Sequence, residues 1–458
     1  MFHPHVTDSE VDLFVSGRLK GQAFQGFLRQ VRRCDTCRRK LAPFLPLLDL
    51  DEPVPPPEVD AEGWPQYDAA IDRALAGVTR HAAQWAEEKA ELARLQARLR
   101  ERPADEPLDA LDDLAEETHG WAWIECMLAA GYELRYREPK RMLLHFLGLA
   151  RAVRSLCEAE ESRGRYSPAQ VIDLRVRALA ELANAQRLTH CYADAEKTLN
   201  EAGELLLEEG ATDPLVEGRF FDVYASLLMD QRKLGEALDI LHGLHRDYLA
   251  VGETHLAGRA LIKKGITLRR DDRPREAVEV FRQALALIDP QQDQGLVATG
   301  QQALLDALVD TGDYHEASEL HLRSGLGKAF TAEPLNRLKL RWVEAKIFAG
   351  LGKLRRAEKI LSEVRDEFVA RDREYLAAMV DLELAGVLLR QSKTEQAQAT
   401  AAEALEIFKD LKVSREAERA VRYLRDACRQ GAATVDLVKQ VVAFLNRLEH
   451  QPGLRFAL

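Results

Sequence analysis

The amino-acid sequence predicts an all-α chain whose main body is a right-handed solenoid of helical pairs. Three observations carry that prediction. Ala195, Ala237, Ala277, Ala317, Ala357 and Ala397 stand 42, 40, 40, 40 and 40 residues apart, and a fixed period of this size marks stacked supersecondary units. A turn residue and one or two charges precede each alanine, as in Leu234-Gly235-Glu236-Ala237, Pro274-Arg275-Glu276-Ala277 and Tyr314-His315-Glu316-Ala317. Helical periodicity runs through nearly the whole chain, as in Leu174-Ala178-Leu182-Ala185 and Leu238-Leu241-Leu244, while strand formers are sparse.

Within the period, two further positions recur. Twelve residues before each alanine stands Ala183, Ala225, Gly265, Leu305, Ala345 or Ala385; four after it stands Leu199, Leu241, Phe281, His321, Leu361 or Ala401. Small residues let one helix cross its partner closely, where a larger side chain pushes the axes beyond about 8–10 Å. Leu305, His321 and Ala401 depart from the pattern and predict local repacking. A small residue, a turn, an alanine, a large apolar residue and a small one, with Pro290 closing the third unit, resemble the tetratricopeptide repeat (TPR). The resemblance spans about 165–411 and implies a protein-binding scaffold. Its usual period is 34 residues, so these units have longer helices or longer loops between repeats.

The elements follow in order. Residues 1–45 form a small helical domain with eight Lys/Arg against four Asp/Glu. Thr7 or Asp8 caps a short helix to Arg18, and Phe24, Phe27, Leu28 and Val31 face inward on a second, to about Lys40. Residues 46–63 are an acidic linker stiffened by Pro53, Pro55, Pro56 and Pro57. The region 64–164 opens with a long helix from Trp64 to about Arg100, with Glu88, Lys89, Glu91 and Arg94 paired on its exposed side. Leu108 to Leu114 is a short amphipathic piece. A divergent first repeat follows, Trp121 to about Arg135 and Pro139 to about Glu161, with Ala130 at the crossing and Met142 at the place of the repeat alanine. Six repeats fill 165–411, capping helices 412–450 break the period, and a frayed tail occupies 451–458.

At the N-terminus, His5-Val6-Thr7-Asp8-Ser9-Glu10, Ser16-Gly17-Arg18-Leu19 and Cys34-Asp35-Thr36-Cys37 resemble the small zinc finger of bacterial anti-sigma factors. Cysteines three apart on a helix share a face and both reach a tetrahedral ion. The resemblance implies a His-x3-Cys-x2-Cys motif, but Gln30 and Arg29 stand where its central His belongs. The early ligand is instead doubled as His3-Pro4-His5. Two readings stand: a rearranged zinc set of His3, His5, Cys34 and Cys37, or a finger that persists on apolar packing without metal. Cys126, Cys157, Cys191 and Cys428 read as small buried hydrophobes. The basic residues Arg29, Arg32, Arg33, Arg38, Arg39 and Lys40 form a solvated helix face, or contact an acidic protein surface or nucleic acid.

In TPR arrays the first helix of each pair lines a concave groove. Counting from the crossing residues places Arg177, Arg219, Arg259 and Lys339 at one recurrent groove position, with Asn184, Arg187, Arg269, Trp342 and Lys346 on the same surface. Asp222, Asp306 and Asp310 interrupt it. A basic stripe on a chain of net charge −11 points to an acidic peptide or protein segment as partner, with Trp342 as an apolar anchor. The alternative is that these cations satisfy Glu181, Asp222 and Glu344.

Other classes are disfavoured. The acidic balance argues against nucleic acid, no apolar run reaches about 18 residues, and Asp8, Glu10 and Asp12 stand where a secretory signal is basic then apolar. Gly325-Leu326-Gly327-Lys328-Ala329 lacks the first glycine and the Ser/Thr of a phosphate loop. After His315-Glu316, Glu319 replaces the second His of a zinc protease. The expectation is therefore a cytoplasmic, bacterial, non-enzymatic scaffold. By resemblance of the finger, its partner is a sigma factor and the protein a soluble anti-sigma-like transcription regulator. The alternative is a peptide- or effector-sensing adaptor that controls a partner enzyme such as a protease, nuclease or signalling protein.

Overall fold

Five positions before each repeat alanine the backbone turns left-handed. His190, Arg232, Asp272, Gly312, Gly352 and Ser392 have φ between 61° and 86°. The next residue's N–H donates to the carbonyl five positions back, as in Cys191 to Gln186 (2.8 Å), Arg273 to Leu268 (2.9 Å) and Lys393 to Leu388 (3.0 Å). This closure satisfies the last carbonyls of one helix and starts the next at once. Each alanine is therefore the fourth residue of the second helix in its pair.

This computed structural model describes residues 6–15, 23, 27, 37, 40, 58–59, 65–66, 68–101, 120–134, 138–158, 166, 168–209, 213–330, 334–411, 414–450 and 454–456. The N-terminal part holds α1 (Asp8–Val15), a two-residue antiparallel ladder of β1 (Glu58–Val59) with β2 (Pro65–Gln66), α2 (Asp68–Glu101), α3 (Trp121–Glu133) and α4 (Pro139–Glu158). The repeat pairs are α5 (Pro168–Leu188) with α6 (Tyr192–Glu209), α7 (Pro214–Asp230) with α8 (Leu234–Ala250), and α9 (Thr254–Arg270) with α10 (Pro274–Leu287). They continue as α11 (Gln294–Thr311) with α12 (Tyr314–Arg323) and the single turn α13 (Leu326–Ala329), then α14 (Pro334–Gly350) with α15 (Leu354–Val369), and α16 (Glu374–Arg390) with α17 (Thr394–Asp410). Helices α18 (Arg415–Arg429) and α19 (Val435–His450) end the chain's regular structure. The predicted piece Leu108–Leu114 lies outside the described residues. The chain divides into two compact units, Met1–Val223 and Tyr224–Leu458, with the boundary inside α7.

All six repeat alanines are fully buried, as are Ala183, Ala225, Leu305, Ala345 and Ala385 at the crossing positions. At Gly265 the approach is closest: a Cβ there would lie 2.5 Å from Phe281 Cε1. The bulkiest +4 residue thus meets the one crossing position without a side chain. The fourth pair repacks. Leu305 fills the crossing, α12 ends at Arg323, and after Gly325 (φ 65°) the residues Leu326 and Phe330 return to the core.

In the first unit one open choice is resolved and two expectations need correction. Thr7, not Asp8, caps α1: Thr7 N–H donates to Glu10 and Glu10 N–H to Thr7 Oγ1, a reciprocal capping box. Glu88 is not on the exposed side of α2 but 4% exposed. It accepts from Ala122 N–H (3.0 Å) and from Tyr166 OH (2.6 Å), and Tyr166 OH accepts from Trp121 N–H. Two side chains distant in sequence thereby satisfy N–H groups that the start of α3 leaves without an intrahelical acceptor, Glu88 that of Ala122 and Tyr166 that of Trp121. The crossing of α3 and α4 falls at Gly131 rather than Ala130, because a Cβ at Gly131 would lie 2.5 Å from His145 and Phe146. Met142 is fully buried as the fourth residue of α4, as the repeat register requires.

The tail is also corrected. Phe456 is 7% exposed, its ring 5.0 Å from Phe444 and 6.2 Å from Tyr423, because an aromatic side chain gains too much on burial to stay in water.

Candidate functional site

The first helix of each pair brings the expected polar residues to one side, and most of them find carboxylates there. In the first unit Arg177 is ion-paired with Glu125. Arg219 donates to both oxygens of Glu181 (2.6 and 2.9 Å) and to Asp222 (2.7 Å), with the Tyr132 ring 5.5 Å away. Burial works to lower the Arg219 pKa, but Glu181, Asp222 and Tyr132 outweigh it and hold the guanidinium above its ordinary value. Asn184 is 6% exposed and accepts from Arg187 (3.0 Å).

In the second unit a series of polar contacts involves five successive first helices. Lys263 of α9 donates to Ser226 of α7 (2.8 Å). Arg269 of α9 bonds Asp310 (2.7 Å) and Asp306 (3.1 Å) of α11. Gln302 donates to the other oxygen of Asp306. Lys346 of α14 pairs with Glu383 of α16 at 3.0 Å. Burial raises the Asp306 pKa against the pull of Arg269, with Asp310 adding to the rise. Burial lowers that of Lys346, but Glu383, Asp310 and Asp306 reverse the sign.

Trp342 differs from an exposed anchor. Its ring packs against the cores around Phe368 and Phe408, 6.0 Å edge-on to Phe368 and 5.0 Å from Lys346 Nζ. Its Nε1 is buried without a hydrogen-bond acceptor. Arg259 is half-buried, and Lys339 is exposed.

A second polar constellation was not expected from the sequence. Asp381, 1% exposed in the middle of α16, lies 3.6 Å from Arg365 of α15, which also holds Asp366 (2.9 Å) and approaches Glu403 of α17 (3.9 Å). One cation faces three carboxyls. Burial pushes the Asp381 carboxyl up to about 7, the pull of Arg365 being partly undone by Glu403. The signal was an acid inside the apolar run Met379-Val380-Asp381-Leu382.

Of the predicted zinc set, only Cys37 lies among the described residues; His3, His5 and Cys34 lie outside them. Cys37 is fully buried beside Val6, whose N–H donates to its sulfur at 3.4 Å. Among the described residues no group of three or more His, Cys, Asp or Glu is placed to hold a metal. Cys126 and Cys428 are buried, Cys157 and Cys191 partly so, and burial raises the Cys126, Cys157 and Cys428 thiols. The phosphate-loop-like segment forms the left-handed turn at Gly325 and α13, and Glu316 pairs with Arg282 (2.6 Å). Among the described residues no helix is long and apolar enough to cross a membrane.

These pairs, their left-handed turns and their buried alanines define a TPR-like helical repeat protein. No family model matches the chain, and no curated protein matches it in sequence. Among solved structures it is similar to a Rap protein complexed with Competence and Sporulation Factor, with TM-score 0.50 and 12% identity over 72% of this chain and 88% of that one. It is also similar to aspartyl phosphate phosphatase F from Bacillus subtilis (TM-score 0.45, 10% identity, 89% and 96% covered). A third is a signal transduction ATPase with a tetratricopeptide repeat sensor from Pyrococcus horikoshii (TM-score 0.46, 14% identity, 94% and 72% covered). At these identities the likeness is one of fold.

Proposed function

We propose that the chain is a non-enzymatic, cytoplasmic protein-binding scaffold that holds an acidic segment of a partner on the first-helix face of its second unit. The observation that carries this reading is the charge of that face. Arg259, Lys263, Arg269, Lys339, Lys346 and Arg390 stand against Asp306, Asp310 and Glu383, a surplus of cations on an acidic chain. The internal ion pairs fix the geometry, and the surplus attracts carboxylates at long range.

The test must avoid Arg219, because its loss strands Glu181 and Asp222 in a buried site and destabilises the first unit. Replacing Lys339 and Arg259 by alanine is the better probe. Capture of the partner, isolated by affinity from the native host, should slow most at low salt, since exposed charges are screened beyond about 8 Å at physiological ionic strength. Capture at the parental rate and salt dependence would overturn the reading.

The finer identity of the partner follows two lines. In one, the N-terminal domain is a zinc-binding, anti-sigma-like module and the partner a sigma factor. The Cys37 sulfur, which accepts the Val6 N–H at 3.4 Å, supports that line as a sulfur brought to the chain segment that follows His5 in sequence. Zinc would then be held by Cys34 and Cys37 with His5 and His3. In the other, the chain is an effector-sensing adaptor that controls a partner enzyme. The Rap protein, solved in complex with Competence and Sporulation Factor, supports that line by analogy of fold alone. A sigma factor in the affinity eluate selects the first line; a short peptide or an enzyme selects the second.

A further inference from the structure

Two neighbouring second helices of the first unit carry opposite charge. α4 holds four Lys/Arg against one acid, and α6 holds six acids against one lysine. They lie side by side, since Arg154 of α4 meets Glu201 of α6 at 3.3 Å. Each also turns a leucine to water: Leu144 of α4 is 70% exposed and Leu207 of α6 is 89% exposed. Lys140 and Arg151 are exposed on the same stripe as Leu144, and Glu204 on the same stripe as Leu207, with Asp194 exposed near the start of α6. Among the described residues Lys140, Arg151, Asp194 and Glu204 have no ion-pair partner within the chain. The face therefore holds spare charge of both signs together with uncovered apolar surface.

We propose that this face is a homodimer interface, in which α4 of one copy docks on α6 of a second copy. The charge pattern selects that occupant. An acidic partner, or an anionic lipid surface, is attracted by α4 and repelled by α6 about 10 Å away. A basic partner meets the reverse. A second copy carries both signs in the order required. As second helices of successive pairs, α4 and α6 run in the same direction, with Met142 and Ala195 each the fourth residue. A two-fold axis parallel to them sets α4 on the other copy's α6 at equal heights. An axis at right angles sets α4 on α4, cation on cation. In the first arrangement Lys140 comes within about one turn, roughly 5.4 Å, of Asp194 in the second copy, and Arg151 of Glu204. Leu144 then meets the alkyl stem of Lys197, and Leu207 that of Arg154; such stems cover apolar surface while their heads stay in water. An isologous interface makes each contact twice. Helices of 20 and 18 residues offer about 600 Å² per copy, about 1,200 Å² in all. That is the lower end for a specific interface, so the dimer is weak and reversible. It belongs to the first unit and needs nothing from the groove of the second.

The experiment uses the full chain and reads its mass in solution by sedimentation equilibrium, from about 1 to 100 μM, at low and high salt. Arg151→Glu and Glu204→Arg are made singly and together, and Leu207→Ser alone. All three positions are exposed, so the thermal melt should not change. The parent should dimerise with concentration, and less so in high salt. Each single reversal should weaken self-association about ten-fold, because the new repulsion occurs twice. The double reversal should restore it to within about three-fold of the parent. Leu207→Ser should weaken it about five-fold at either salt, since apolar burial is not screened. A parent that stays monomeric at about 100 μM and low salt overturns the proposal, whatever else covers the face. A dimer that ignores the single reversals, or that the double reversal fails to restore, places self-association on another surface and overturns it equally.

Discussion

Asp381 shows how much one carboxyl can matter at the residue scale. Burial and Glu403 raise its pKa to about 7 in the folded protein, against about 3.9 in an unfolded chain. The folded state therefore binds the proton more tightly. The stability this contributes is full below about pH 3.9 and is lost as pH rises through about 7. The thermal midpoint should fall from about pH 5 to pH 8, with a slope of up to about 1.4 kcal/mol per pH unit. Asp381→Asn should flatten that fall and stabilise the protein at pH 8; an unchanged slope in the variant would assign the pH dependence elsewhere. The left-handed turns give a second residue-scale prediction. Arg232 sits at φ 66° and Gly352 at φ 77°, and a side chain in this region costs about 1–2 kcal/mol. Arg232→Gly should raise stability by about 0.5–1 kcal/mol, net of the entropy glycine adds to the unfolded chain. Gly352→Ala should lower it by at least as much, both read by denaturant melts.

At the scale of elements, the crossing of α9 and α10 is the tightest test of the repeat. The sixfold pattern fixes which helices pair, but the spacing of this pair is set by Gly265 against Phe281. Gly265→Ala forces the ring aside in a packed core and should cost about 1–3 kcal/mol. Phe281→Leu in the same chain makes room, so the double variant should lose less than the sum of the two singles. Additive losses would mean that the two residues do not set the crossing. The fourth pair shows the same trade differently. Leu305 takes the space at the crossing, the second helix is short, and α13 returns Leu326 and Phe330 to the core.

At the scale of the whole molecule, stability in repeat architectures is a sum of local terms between neighbours. Metal at the N-terminus should then act locally. If zinc is held by Cys34, Cys37, His5 and His3, the purified native protein should carry about one zinc per chain. Chelation should loosen residues 1–45 to protease and leave the melting of the second unit unchanged. Less than about 0.2 zinc per chain, with 1–45 still protected, would establish the metal-free packing reading.

The repeat alanines, their turns and the all-helical architecture were legible in the sequence because they depend on local chemistry repeated at a fixed interval. A helix needs its small residues, its turn and its apolar stripe within a dozen positions, and six copies make the signal unmistakable. The groove residues were legible as positions but not as free charges. Arg219, Arg269 and Lys346 meet carboxylates 37, 38 or 41 residues away on neighbouring helices, or three away on their own, as with Asp222. Only the stacking of the pairs decides which of those encounters occur. The same holds for Glu88, which reads as one more exposed acid until Ala122 and Tyr166 are brought to it across 34 and 78 residues. Sequence alone therefore determined the class of fold and which residues share the first-helix face. Tertiary structure decided which charges were already spent, that Asp381 is buried among other carboxyls, and that Arg447 of α19 meets Asp272 at 3.3 Å. Those are long-range contacts, and no local propensity encodes them.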